Sequence, residues 1–194
     1  MKAVIVVISS FLLLCSCSKT SDLSFQGPVK NEGAFTRYLI RQGNHYSEQS
    51  IYRAIDTDEM KFTVRFDSSA IYTSASSENQ YDINKLFGFS DNGSDHHRFS
   101  ARIGWRWSDH ALRLFAYVYN DGVVTSKEIG AIPLGTDISC SIQVRPDGYR
   151  FYVNDMMQTV NRLAATPRAQ GYQLYPYFGG DEAAPHDISI WIRE

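Results

Sequence analysis

Two short stretches carry the side chains most able to do chemistry. Arg102 and Arg106 alternate along one, and Arg113, Phe115, Tyr117 and Tyr119 along the next. In an extended chain alternate residues share a face, so these positions predict a row of guanidinium groups beside a row of aromatic rings. Such a surface suits sugars. Rings cover the apolar C–H face of a pyranose, and Arg offers planar donors to hydroxyls or to a uronate carboxylate. The same residues can instead be packed under a loop, with the arginines in ordinary surface pairs, which needs no ligand.

Asp91, Asp95, His96 and His97 stand just before the arginine stretch. His97 or His96 is placed to act as a general base at the end of a groove. Joint metal ligation by both is disfavoured, because neighbours in a strand point to opposite faces, and loop hydrogen bonding is the simpler role. Asp181, Glu182 and Asp187, with the carbonyls of Gly179 and Gly180, offer hard oxygen ligands that a structural calcium would use, Glu32 and Gly33 completing the set. An ordinary surface loop is the favoured account of them.

The elements that must hold these residues are read from period-two alternation. Met60, Phe62, Val64 and Phe66 alternate with polar residues, as do Phe99, Ala101, Ile103, Trp105 and Trp107, then Leu112, Leu114, Ala116 and Val118. Ile138 to Val144, Tyr149 to Val153 and Ile188 to Ile192 continue the pattern. Asp91-Asn92-Gly93, Asn120-Asp121-Gly122, Pro146-Asp147-Gly148 and Gly179-Gly180 punctuate it as turns. Many short antiparallel strands so separated predict an all-β sandwich. The short connection from Trp107 to Leu112 predicts a hairpin that sets the two functional rows side by side. Gln143, Arg145, Arg150 and Tyr152 would extend that surface if their hairpin joins the same sheet. Only Met156 to Ala165 reads as a helical turn.

At 194 residues, 43% hydrophobic and 21% charged, the chain holds about one ordinary domain. Its 19 basic and 21 acidic residues give a net charge of -2, so nucleic acid is not expected as a partner. Residues 1–16 have a positive start, an apolar run too short for a lasting transmembrane helix and small residues at a cut, the layout of a secretory signal. Leu14-Cys15-Ser16-Cys17 resembles a bacterial lipobox, which implies acylation of Cys17. Residues 17–34 then form a lipidated tether, and residues 35–194 the sandwich. With Cys15 removed and Cys17 acylated, Cys140 has no disulfide partner and is expected to be a buried thiol.

The hairpin from Ile138 to Asn154, with its Pro-Asp-Gly turn and Tyr-Arg-Phe-Tyr-Val-Asn ending, resembles the recurrent hairpin of concanavalin-A-like (laminin-G-like) jelly rolls, Asp155 replacing the usual Gly. From Asn84 onward, Lys85-Leu86-Phe87-Gly88-Phe89-Ser90-Asp91, the stretch from Ser100 to Trp107 and the ending Tyr175 to Asp187 are similar to uncharacterised envelope lipoproteins of the Bacteroidetes type. The resemblance implies a jelly-roll β-sandwich anchored by lipid in the cell envelope, at the outer membrane, facing periplasm or surface. Concanavalin-A-like domains often carry a structural calcium near the chain ends. No activity follows from it.

Jelly-roll hydrolases set their acids on one strand as Glu-x-Asp-x-x-Glu, a retaining glycosidase needing two carboxyls about 5 Å apart. Asp56-Thr57-Asp58-Glu59 has the wrong spacing. A polysaccharide lyase needs only a group that neutralises a uronate carboxylate and a Tyr or His to move the proton. Arg102, His97, Tyr117 and Tyr119 meet that need, but the Arg-x-Glu-x-Arg and Gln-x-His strands of alginate lyases are absent, with Ser100 where the Glu should stand. The expectation is therefore a lipid-anchored protein that binds an extracellular polysaccharide through Arg102, Arg106, Arg113, Phe115, Tyr117, Tyr119 and His97. A uronate lyase and a protein-binding adhesion module are the alternatives.

Overall fold

The alternating segments become strands because each can bury one face and leave the other to solvent or ligand. The structure, a computed structural model, describes residues 33–194. The signal, Cys17, Glu32 and almost all of the tether lie outside the described residues.

Twelve strands build two antiparallel sheets of six. The first contains, in spatial order, β1 (Thr36–Ile40), β12 (Ile188–Arg193), β3 (Glu59–Phe66), β8 (Ile138–Arg145), β9 (Gly148–Val153) and β10 (Met156–Asn161). The second contains β2 (Ala54–Thr57), β11 (Ala169–Leu174), β4 (Asn84–Ser90), β5 (Phe99–Ser108), β6 (Ala111–Asn120) and β7 (Val123–Ile132). Chain neighbours in sequence repeatedly change sheet, so the two layers are sewn together by crossovers. No helix of the described residues is long and apolar enough to cross a membrane.

Between the sheets lies one continuous apolar core. Phe62, Val64 and Phe66 from β3, Ile138, Cys140 and Ile142 from β8, and Ile188, Ile190 and Ile192 from β12 meet Ile103 and Trp105 from β5 and Leu112, Leu114, Ala116 and Val118 from β6. Each large aliphatic or aromatic side chain buried there contributes about 1.5–3 kcal/mol against the cost of ordering the chain. Burial pushes the Cys140 thiol far up, which keeps it protonated and inert.

β5 and β6 form the expected hairpin with Ser108 opposite Ala111, so the turn is only Asp109-His110. Both turn residues have positive φ, 52° and 59°, as the hairpin turn that follows strand twist requires. Asp tolerates that region better than most side chains, which is why the turn forms without a glycine.

Two expectations change. Met156–Asn161 is a strand, β10, and not a helical turn, because β9 offers it a full ladder from Met156 opposite Val153 to Asn161 opposite Gly148. The β8–β9 hairpin pairs with β3 and so belongs to the opposite sheet from β5 and β6. Gln143, Arg145, Arg150 and Tyr152 therefore do not extend the arginine surface.

A buried ion pair locks β4 to the segment after β10. The Asp91 carboxylate, fully buried, accepts from the Arg162 Nε at 2.8 Å, the Tyr149 hydroxyl at 2.6 Å and the amides of Asn92 and Gln170 at 2.6 and 3.1 Å. Burial alone would push Asp91 up, but these donors hold it below the usual carboxylate range. Arg162 also donates to the carbonyls of Thr166 and Arg168, which fixes the chain entering β11.

Candidate ligand-binding cleft

The outer face of the second sheet is built from alternate residues of β5 and β6. Arg102 stands opposite Tyr117, and Ser100 opposite Tyr119. On the other side of β5, Arg102 stands opposite Gly88 of β4. A Cβ on Gly88 would lie 2.7 Å from the Arg102 Cα and 2.9 Å from its Cγ, so only glycine lets the arginine stem lie against β4. Residues 45–50 and 173–180 raise walls beside this face, joined by a bridge between Tyr46 and Tyr177 and by a second bridge from Tyr177 to Lys85. The result is an open cleft of about 410 Å³ whose lining includes Tyr46, Lys85, His97, Arg102, Tyr119 and Tyr177.

Arg102 is more deeply placed than a surface row implies. It is 5% exposed, and it forms no ion pair or hydrogen bond with any described residue; its buried Nε is without a partner. The guanidinium carbon sits 5.8 Å from the centre of the Tyr117 ring. Burial lowers its pKa, partly countered by the surrounding Tyr117, Tyr119, Tyr172 and Tyr177. Lys85 faces the same ring, its Nζ 5.2 Å from the Tyr117 centroid and 5.8 Å from that of Tyr177, and donates to the Gly179 carbonyl at 2.8 Å. Burial and the neighbouring Arg102 charge bring Lys85 down to about 8, against the opposing pull of Asp82. None of the described residues lining the cleft is Asp or Glu.

The rims are aromatic. Tyr46 is 71% exposed and meets Tyr177 edge to face at 4.9 Å, while Tyr119 meets His97 edge to face at 5.6 Å. Tyr117 lies against the two cations, with Tyr119 5.8 Å away. The histidines do not diverge as strand neighbours would. Residues 95–98 form a turn before β5, in which the Asp95 carboxylate accepts from the His97 amide at 2.8 Å and the two imidazole rings stand 4.1 Å apart. Ligand atoms of Asp95, His96 and His97 lie within 4.8 Å of one another. His96 Nδ1 also shares a 2.9 Å hydrogen bond with the Tyr172 hydroxyl, and burial, with Arg102 and His97 nearby, lowers its pKa.

The other half of the two rows is closed off. Phe115 is buried at 4% exposure, with the Arg106 guanidinium 4.7 Å from its ring centre. Arg106 in turn donates to the Tyr81 carbonyl at 2.8 Å and the Ser108 hydroxyl at 3.1 Å, so the short 3-10 turn at Asn79–Tyr81 covers this end of the sheet. Arg113 pairs with Glu128 at 2.8 Å and Asp109 at 3.4 Å. The structure thus brings Arg102, Tyr119 and His97 to the cleft beside Tyr117, and leaves Arg106, Arg113 and Phe115 outside it.

The acids considered for calcium do not converge. Glu182 accepts from the amides of Ala75 and Ser76 and from Asn79, each at 2.8 Å, while Asp187 accepts from the Gln42 amide at 2.9 Å and Arg41 at 3.1 Å. Asp181 shares neither set of partners. Calcium needs six to eight oxygens around one point, and Asp181, Glu182 and Asp187 do not provide that arrangement. Glu182 and Asp187 act as separate loop clamps.

Lys85, Gly88, Tyr46 and Tyr177 were not singled out as site residues by sequence. The signal available was a lysine two places before a core phenylalanine in a strand, which breaks alternation. The cause is a register shift between Lys85 and Phe87 that turns the lysine to the cleft.

Fold and site together define a jelly-roll β-sandwich of the concanavalin-A-like kind with an open cleft on one sheet. Solved structures share that fold. Alginate lyase AlyC3 superposes with a TM-score of 0.56 at 9% identity, covering 82% of this chain and 74% of that one. A glycoside hydrolase family 16 protein of the Bacteroides ovatus mixed-linkage glucan locus, in complex with a product, gives 0.56 at 9% identity over 86% and 81%. The catalytic domain of an endo-1,3-beta-glucanase (laminarinase) from Thermotoga petrophila gives 0.51 at 10% identity over 82% and 76%. No family model and no curated protein matches the chain.

Proposed function

We propose that this protein binds a polysaccharide chain in the cleft of the second sheet, as a lipid-anchored component of a bacterial cell envelope. One observation carries the reading: an open cleft rimmed by Tyr46, Tyr119 and Tyr177 has partly desolvated cations at its floor and, among the described residues, no lining acid to satisfy them. Rings stack on sugar faces, and the cations and loop carbonyls meet hydroxyls or charged substituents. The solved structures that share the fold include proteins named for alginate, mixed-linkage glucan and laminarin, which supports a polymer of sugars as the occupant.

The same lining speaks against a glycosidase, since an acid and a nucleophile or base must both be carboxyls in the usual mechanisms and the described residues of the cleft offer neither. Binding without turnover is the primary reading. A lyase would use Arg102 against a uronate carboxylate and a nearby base to remove the proton.

A glycan array with uronate polymers, read for both binding and the ultraviolet absorbance of an unsaturated product, separates the classes. Binding without new absorbance supports the module, absorbance moves the protein to the lyases, and silence in both favours a protein partner. Tyr119→Ala combined with Tyr117→Ala is expected to weaken polymer binding roughly tenfold or more, the size of a lost aromatic contact, with circular dichroism unchanged. Undiminished affinity would place the ligand elsewhere. For the anchor, Cys17→Ala is expected to move the protein from the membrane fraction to the soluble one, and retention in membranes would refute acylation at this residue.

A further inference from the structure

The arginines of this chain differ in how their charge is met. Arg162, whose side chain is 2% exposed, has Asp91 inside the fold, whereas Arg102, about equally buried, has no carboxylate, carbonyl or hydroxyl within hydrogen-bonding distance among the described residues. A guanidinium taken out of water without a counter-charge is costly, and its planar fork of donors is matched by a carboxylate or a sulfate. Lys85 adds a second cation over the same Tyr117 ring. Asp82 acts on Lys85 only through its electrostatic pull and does not line the cleft.

One neutral group waits beside the cations. Ser100 lies two residues before Arg102 on the same strand, hence on the same face, and its buried hydroxyl has no partner. Buried polar groups in folded proteins are seldom left so. An unmatched guanidinium and an unmatched hydroxyl on one face of β5, with an ammonium beside the guanidinium, describe a receptor for something charged that also carries hydroxyls.

We infer that the sugar held by this cleft is anionic, its carboxylate or sulfate ester seated against the Arg102 guanidinium with the Lys85 ammonium beside it. This rests on the polysaccharide-binding reading. A neutral sugar at the same place would leave both cations uncompensated in a partly dry site, so discrimination comes from the unpaired charge and not from shape. Gly88 leaves the room in which the Arg102 stem lies against β4.

The test measures affinity by calorimetry for polygalacturonate, carboxyl-reduced polygalacturonate, kappa-carrageenan and laminarin. One of the two acidic polymers is expected to bind, carboxylate against sulfate ester being decided by which. If it is polygalacturonate, carboxyl reduction weakens binding roughly tenfold to a hundredfold, the worth of a charged hydrogen bond, and Arg102→Gln produces a similar loss. If it is carrageenan, desulfation takes the place of reduction with the same expected loss. Laminarin bound as tightly as the acidic polymers, with no change in Arg102→Gln, overturns the inference while leaving polysaccharide binding in place. No binding to any of the polymers counts against both. Should Arg102→Gln fail to fold by near-ultraviolet circular dichroism, the comparison of native and charge-stripped polymer on the parent protein decides alone.

Discussion

Arg102→Met is expected to melt higher than the parent protein, by roughly 2–8 °C, as removal of an uncompensated buried charge returns about 1–2 kcal/mol to a domain of this size. Methionine keeps the length and the apolar contact with the Tyr117 ring while dropping the guanidinium that no described residue satisfies. Differential scanning calorimetry at neutral pH without polymer is the measurement. An unchanged or lowered melting temperature would mean that the guanidinium is well compensated in the free protein, and the case for a charged ligand would weaken with it. Stability held back at a binding residue is the usual trade between fold and function.

The opposite result is expected at the other buried arginine. Asp91→Ala should cost about 3–5 kcal/mol, because Arg162 keeps its charge at 2% exposure and loses the carboxylate it meets at 2.8 Å. The Tyr149 hydroxyl and the Gln170 amide lose an acceptor at the same time. Pairing the change with Arg162→Met should recover much of that loss, which equilibrium urea unfolding of both variants would show. If Asp91→Ala alone unfolds at the parent's midpoint, the pair contributes nothing net.

The pH dependence follows from the same carboxylate. Asp91 has a folded pKa below its unfolded value, so its contribution is complete above about pH 4, the unfolded carboxylate range, and is lost as pH falls from there through the folded value. Arg162 remains charged throughout. Unfolding free energy measured from pH 6 down to pH 2 should therefore fall less steeply in Asp91→Ala than in the parent.

How much of this was legible depended on which contacts were local. β5 and β6 could be read residue by residue, because each alternates strictly and buries one face; Ile103, Trp105, Leu114 and Val118 are all fully buried. β11 could not. Ala-Gln-Gly-Tyr-Gln-Leu has no alternation, and Gly171 is there because a Cβ would come within 2.8 Å of the Ser90 carbonyl carbon. Met156–Asn161 misled because Met-Met-Gln favours helix in isolation, a weak preference that the β9 ladder overrides.

For the cleft, alternation indicated the face that Arg102 occupies but not its depth. Depth comes from Tyr46 and Tyr177, which meet across more than a hundred residues of chain, and such pairing leaves no mark in a local pattern. The division of the arginine row has the same origin. Arg106 is drawn to the Tyr81 carbonyl, 25 residues earlier, and Phe115 is sealed beneath it.

The wall at residues 177–179 is tied down without help from any ligand. The Tyr177 amide donates to the Lys85 carbonyl at 2.9 Å, the Phe178 amide to the His45 carbonyl at 2.8 Å, and the Gly179 amide to the Asn84 side-chain oxygen at 2.6 Å. Phe178 itself is anchored in the core at 3% exposure. Such a wall is preorganised: a flexible polymer arriving there surrenders its own conformational freedom while the host surrenders almost none, so association proceeds as docking onto a rigid template.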